Sequence, residues 1–368
     1  MTAVLQGLRR IADLARVTIF GALIGTVLGL AAILWLGQSG LPVLLAALSF
    51  GQLLIAAWFT LKLPSSVGSV PVSDPPQGGL ATWFDMARLG TAFMLGGLVT
   101  TATLLGVRSL IQHRLGLEAI GQFEASWAMA ITYLGFVLNA MSADYYPRLS
   151  GAIHDPERVN LLVNEQIQLG LLLAGPMLLL LIGLAPVLVP LLYSAAFEDA
   201  IIVLQWQTVG NFFKLSSWAM GFVVLASGRG GLFLLLELAF SFFFATILWV
   251  QLDRFGVLAA GPAFALAYAI HFVTTLAAAR HLCGLRWAPE SRALQLIYII
   301  AAVILLALAR TSPLAGAAAA VVGAAIGAIL GLRYLLSKTR TTHPLAARIE
   351  RFFSGIGWHL SHDKDTLG

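Results

Sequence analysis

Apolar runs long enough to cross a bilayer follow one another along almost the whole chain, separated by short polar connections. They fall at residues 17–37, 41–63, 87–107, 120–141, 167–192, 207–226, 231–251, 256–278, 293–309 and 314–335. Each approaches or exceeds the ~20 residues that a helix needs to span hydrocarbon. Apolar and polar positions do not alternate within them, as the strands of a membrane β-barrel require. A segment isolated in lipid satisfies its own backbone hydrogen bonds only as a helix. The pattern therefore predicts an all-α membrane protein, a polytopic bundle of about ten transmembrane helices.

Composition agrees, with 59% hydrophobic and 11% charged residues. The formal charge of +5 is better explained by topology than by nucleic acid, because of where the cations fall. With the N-terminus inside, only Arg108, Arg114, Arg254 and Arg310 reach the outer side and Lys214 lies within a span. The other Lys and Arg residues fall on the cytoplasmic side, as the positive-inside rule demands. Both termini of this multi-pass chain are expected in the cytoplasm. Residues 1–16 lack a short apolar core followed by a small-residue cleavage site, so the first helix is expected to be retained. The single Cys283 excludes an internal disulfide framework and a cysteine metal cluster within one chain.

The loop after the second run, rich in Pro, Gly and Ser, reads as a flexible linker. It divides the chain into a helical pair (1–63), a cytoplasmic linker (64–86), a six-helix lobe (87–280), an additional pair (281–335) and a cytoplasmic tail (336–368). The last pair contains GAAAAVVGAAIGAILG, whose small residues permit close helix contact. In the tail, Leu345, Ile349, Phe352, Phe353 and Ile356 recur near helical spacing, which predicts an interfacial amphipathic helix.

Ionisable groups inside apolar runs are the most informative positions. Each costs about 2.5–3.5 kcal/mol at the centre of a bilayer. Gln207, Asn211, Lys214 and Trp218 share one face of a helix at i, i+4, i+7 and i+11. Such a stripe can face a water-filled cavity, where the cation would hold an anionic headgroup. The alternative is an internal ion pair of Lys214 with Glu124 or Glu237. Glu124 lies near Gln122, Ser126 and Tyr133; Glu237 sits on an aromatic helix one turn before Ser241. A carboxylate held away from water can carry a proton at neutral pH, so both are candidates for ion coupling. His271 joins them, aligned with Tyr268 and Thr275, although a single buried His commonly serves packing. Arg108 and Arg114 flank an outer helix end, as snorkelling anchors or as an entrance for anionic substrate.

Motifs of hydrolases, metalloproteases and P-loop enzymes are absent, and the acidic residues at Asp144, Asp155 and Glu157 show no spacing diagnostic of glycosyl transfer. No enzymatic activity, metal or cofactor is expected. Without an ATP site, uphill transport would draw on an ion gradient or on the gradient of the substrate itself.

Several stretches carry a family resemblance. AMSADYYPRLS (140–150) resembles a cytoplasmic loop of O-antigen translocases, with Asp144, Tyr145, Tyr146, Pro147 and Arg148 as its motif residues. LVNEQIQLGLLLAGP (162–176), with Asn164 and Gln166, follows in the same order, as do 191–200, 204–222 and 225–238. The opening QGLRRIADLARVTIFGALIGTVLG is similar to the stretch before a mid-chain helix of those proteins. The resemblance implies the multidrug/oligosaccharidyl-lipid/polysaccharide exporter superfamily, in which two lobes of six helices rock about a central cavity. Against those twelve or so helices this chain opens near the expected fifth, so its first lobe is expected to be incomplete.

The implied function is a flippase moving undecaprenyl-diphosphate-linked O-antigen or a related oligosaccharide from the cytoplasmic to the periplasmic leaflet. Lys214, Asn211, Gln207, Trp218 and Arg108 would bind substrate; Glu124, Glu237 and His271 would couple an ion. Expected partners are the lipid-linked oligosaccharide, membrane lipids and polysaccharide polymerase machinery, with no nucleic acid. Two alternatives stand beside it. A multidrug-type ion-coupled exporter would favour acidic and aromatic cavity walls; a non-transporting membrane fragment would need none.

Overall fold

The computed structural model describes residues 11–61 and 79–338. Most of the predicted linker and nearly all of the predicted amphipathic tail lie outside the described residues. Among the described residues every regular element is helical. In chain order they are α1 (Ile11–Leu36), a 3-10 turn (Gly37–Gly40), α2 (Leu41–Leu61), α3 (Gly79–Gly151), α4 (Pro156–Leu192), α5 (Glu198–Ala226), α6 (Gly230–Phe255), a second 3-10 turn (Gly256–Ala259), α7 (Ala260–Cys283), α8 (Pro289–Thr311) and α9 (Pro313–Lys338).

Among the described residues, eight apolar helical segments are long enough to cross a membrane. Two of them, Gly90–Gly151 and Gly230–Cys283, each contain a glycine at positive φ, Gly116 at 88° and Gly256 at 57°. A break of this kind splits each into two halves of crossing length, giving about ten crossings. At Gly116 the chain folds back on itself. Arg108 and Glu124 are 16 residues apart, about 24 Å along a straight helix, yet Arg108 Nη2 donates to Glu124 Oε2 at 2.8 Å. A φ of this sign is open to glycine without a Cβ clash. The outer loop expected at 108–119 is thus helical except at one residue.

The chain divides into two compact units: residues 1–84 with 140–148, and residues 85–139 with 149–368. In the first, α1 and α2 form a hairpin whose contact runs along Gly21, Gly25 and Gly29, one turn apart. A Cβ on Gly25 would stand 2.6 Å from Leu48 Cα, and one on Gly21 would stand 2.8 Å from Gln52 Cα. Backbones that close tolerate only glycine. Also in this unit, the motif residues Asp144 and Arg148 pair one helical turn apart at 3.2 Å, with Tyr145 buried between them in sequence. The ADYYPR run is therefore the last turns of α3 rather than a loop. An i,i+4 ion pair favours that helical conformation.

In the second unit α5 is the innermost helix, packed most extensively on α7 and also on α4. A Cβ on Gly210 would lie 2.9 Å from Ala265 Cα, and one on Gly261 would lie 2.9 Å from the Val203 carbonyl oxygen. Both glycines let the axes of α5 and α7 approach. Helix α9 lies along α4, where a Cβ on Gly331 would come 2.7 Å from the Leu172 oxygen. A core of Phe123, Phe240, Phe244 and Phe264 fills the space between α3, α6 and α7. Phe242, Trp249 and Val250 on α6 and Ile297, Ile300 and Ile304 on α8 are more than half exposed. In lipid such outward apolar side chains carry no hydration penalty.

Polar residues fix the ends. Asp155 caps α4 by accepting from the Glu157 and Arg158 amides at 3.1 Å, with Pro156 at the first helical position. Asn164, one of the family-motif residues, binds the segment between α7 and α8: its Nδ2 donates to Arg286 O at 2.9 Å and its Oδ1 accepts from the Ala288 amide at 2.8 Å. Gln166 is buried, and its Nε2 has no partner.

Candidate functional site

The polar stripe predicted on one helix lies on α5, and its four residues meet different surroundings. Gln207 and Asn211 are fully buried. Asn211 Nδ2 donates to Ala130 O of α3 at 2.9 Å, while both side-chain atoms of Gln207 lack partners. These two residues sit in packed interior. Lys214 and Trp218, one and two turns further on, reach a less crowded region.

Lys214 is half-buried, and its Nζ stands 5.3 Å from the centroid of the Tyr268 ring on α7. Tyr268 is itself held by Phe240 at 4.3 Å and Phe264 at 4.7 Å between ring centroids. The ammonium therefore rests on an aromatic platform. Among the described residues it forms no ion pair. Glu237 on α6 is near enough for its charge to couple with that of Lys214. A cation over an aromatic ring gains about 0.5–2 kcal/mol. That falls short of the ~2.5–3.5 kcal/mol cost of a charge at the bilayer centre, so the coupled carboxylate is needed as well.

Beside this pair lies a cavity of about 190 Å³, walled by the first half of α3 and by α5, α6 and α7. Phe93, Trp218, Phe222 and Phe233 supply its aromatic walls, and Glu237 and His271 its ionisable groups. Lys214 is not part of the wall; Trp218, its i+4 neighbour, is. Thr100 Oγ1 of α3 donates to Glu237 at 3.4 Å, a long bond that leaves the carboxylate room for other partners. His271 Nδ1 and Thr275 Oγ1, both facing the cavity region, are buried without partners, and so is Ser241 Oγ one turn from Glu237. Buried polar atoms are seldom left unsatisfied, and a cavity lined by two of these residues, His271 and Thr275, is suited to water or to a polar solute.

Arg108 and Glu124 form a separate site. They pair with each other through two hydrogen bonds and so join the two halves of α3. Glu124 is thus the partner of Arg108, not of Lys214. Arg114 donates to both carboxylate oxygens of Asp253, at 2.7 and 2.8 Å, and ties α3 to α6. The residues brought together at the cavity are Trp218, Glu237 and His271, with Lys214 adjacent. Tyr268 was visible in sequence as a neighbour of His271 on one face, but nothing local marked it as the platform for Lys214. Thr100, Phe93 and Phe233 carried no local signal, since their place depends on how α3 meets α6.

A family model described as polysaccharide biosynthesis protein matches residues 3–202. The matched stretch reaches into α5 and ends before Lys214. No curated protein and no solved structure matches the chain.

Proposed function

Because the chain belongs to the polysaccharide biosynthesis protein family, we propose that it is a flippase for a lipid-linked oligosaccharide. The cargo is undecaprenyl-diphosphate-linked O-antigen or a related glycan, carried from the cytoplasmic to the periplasmic leaflet of a bacterial inner membrane by alternating access. A glycan with many hydroxyls needs such a path, because hydrocarbon offers nothing for the hydrogen bonds it gives up in water. The observation that carries this proposal is Lys214, an ammonium inside a membrane-spanning helix that forms no ion pair among the described residues. It is the group available to a diphosphate. Glu237 and His271 beside it are the groups that an ion or proton would visit during the cycle. Polysaccharide polymerase machinery is the expected consumer of the flipped glycan, and no chemistry on the substrate is required.

The test is glycan display in cells that depend on this protein. Lys214→Gln is expected to lower surface glycan several-fold with membrane insertion unchanged; display at the wild-type level removes Lys214 from the role. A second reading has one observation in its favour: the cavity wall itself is aromatic and acidic, as export of cationic amphiphiles would need. On that reading Glu237→Gln abolishes efflux of a cationic dye, Lys214→Gln leaves it intact, and glycan display responds to neither.

A further inference from the structure

A further recess of the second unit lies away from Lys214, at the start of α5. A groove of about 1030 Å³ is formed by the end of α4, the start of α5, the end of α6, the start of α7 and the α8–α9 junction. That volume is at the upper end of the range for small-molecule sites. Its surface is chiefly apolar, with Ile201, Ile202, Phe255 and Leu258 contributing. Two charged residues of opposite sign, Glu198 and Arg310, also line it. Both are exposed, and among the described residues neither forms an ion pair.

We infer that this groove binds a zwitterionic phospholipid, with Arg310 on the phosphodiester, Glu198 on the amine and the acyl chains along the apolar surface. Both charges lie at helix ends, the level at which a spanning helix meets headgroups. A phosphodiester matches the planar donor fork of a guanidinium. The carboxylate selects further. An anionic lipid would satisfy Arg310 while setting its net charge against Glu198. A trimethylammonium headgroup has no N–H to give the carboxylate. A primary ammonium has three, and hydrogen bonds between two ionised groups are the strong ones. Phosphatidylethanolamine is therefore the chemistry that fits both residues at once. The site depends on the chain spanning a membrane and not on what it transports.

The test is lipid retention by the whole purified protein, read by native mass spectrometry after equilibration with equal amounts of phosphatidylethanolamine, phosphatidylcholine and phosphatidylglycerol bearing identical chains. Phosphatidylethanolamine is expected to be retained about fivefold over each of the others. Arg310→Gln should lower retention of both phosphatidylethanolamine and phosphatidylglycerol. Glu198→Gln should remove only the preference for phosphatidylethanolamine. Ala195→Trp, which fills the groove without altering charge, should lower retention of all three. Equal retention of the three lipids by the unaltered protein overturns the proposal, as does a preference that survives both charge substitutions. Stronger retention of phosphatidylcholine would assign the amine to the aromatic residues instead and overturn the role of Glu198. Glycan display is a separate readout, so loss of the lipid site and loss of transport are distinguishable.

Discussion

Gln205 on α5 reaches the Ile182 carbonyl of α4 and donates to it at 3.0 Å. The residue four positions after Ile182 is Pro186, which has no N–H to give that carbonyl. The side chain of a neighbouring helix thus replaces the backbone donor that proline removed, deep in the unit where Gln205 is 2% exposed. Lipid offers no substitute partner. Gln205→Leu is expected to cost about 1–2 kcal/mol of stability, and Pro186→Ala in the same chain should recover most of it by restoring the N–H. A double-mutant cycle from unfolding in mixed micelles measures the coupling; strictly additive effects would remove the link.

Gly116 is the hinge of α3, and its φ of 88° is one that a side chain resists. Gly116→Ala should destabilise the protein by about 1–2 kcal/mol. The fold-back can be measured directly. With Cys283 replaced by Ser, an Arg108→Cys, Glu124→Cys pair should be bridged efficiently by a short bifunctional thiol reagent. A straight helix would hold the two positions about 24 Å apart and give no crosslink.

The hairpin of α1 and α2 depends on absent side chains. Gly25→Leu would force its Cβ against Leu48 Cα, backbone atoms that cannot swing aside. The helices must separate, and the expected result is faster proteolysis within 11–61 with the second unit still protected. Equal digestion rates would show that α1 and α2 do not pack through Gly25.

Asn164 holds the segment between α7 and α8 by giving one hydrogen bond and taking another. Asn164→Asp keeps the acceptor for the Ala288 amide, whereas Asn164→Ala removes it. Hydrogen exchange at Ala288 should accelerate several-fold in the alanine variant and much less in the aspartate variant, since a lost bond of about 1 kcal/mol corresponds to roughly a fivefold change. Similar exchange in both would assign protection of that amide to another cause.

The sequence by itself determined the class of structure and the positions of the crossings. Both follow from local quantities, a run of about 20 apolar residues and a backbone that must bond to itself. That Gln207, Asn211, Lys214 and Trp218 share a face was equally legible, because helical spacing sets it. What each of them touches was not. Only the tertiary structure decided that Gln207 and Asn211 are enclosed while Trp218 borders a cavity, and that Glu124 belongs to Arg108 and Glu237 to the neighbourhood of Lys214. The physical reason is range. A helix specifies its own faces over one or two turns, but burial and charge pairing depend on which other helices arrive, and here that turned on a single residue, Gly116, folding Glu124 back onto Arg108.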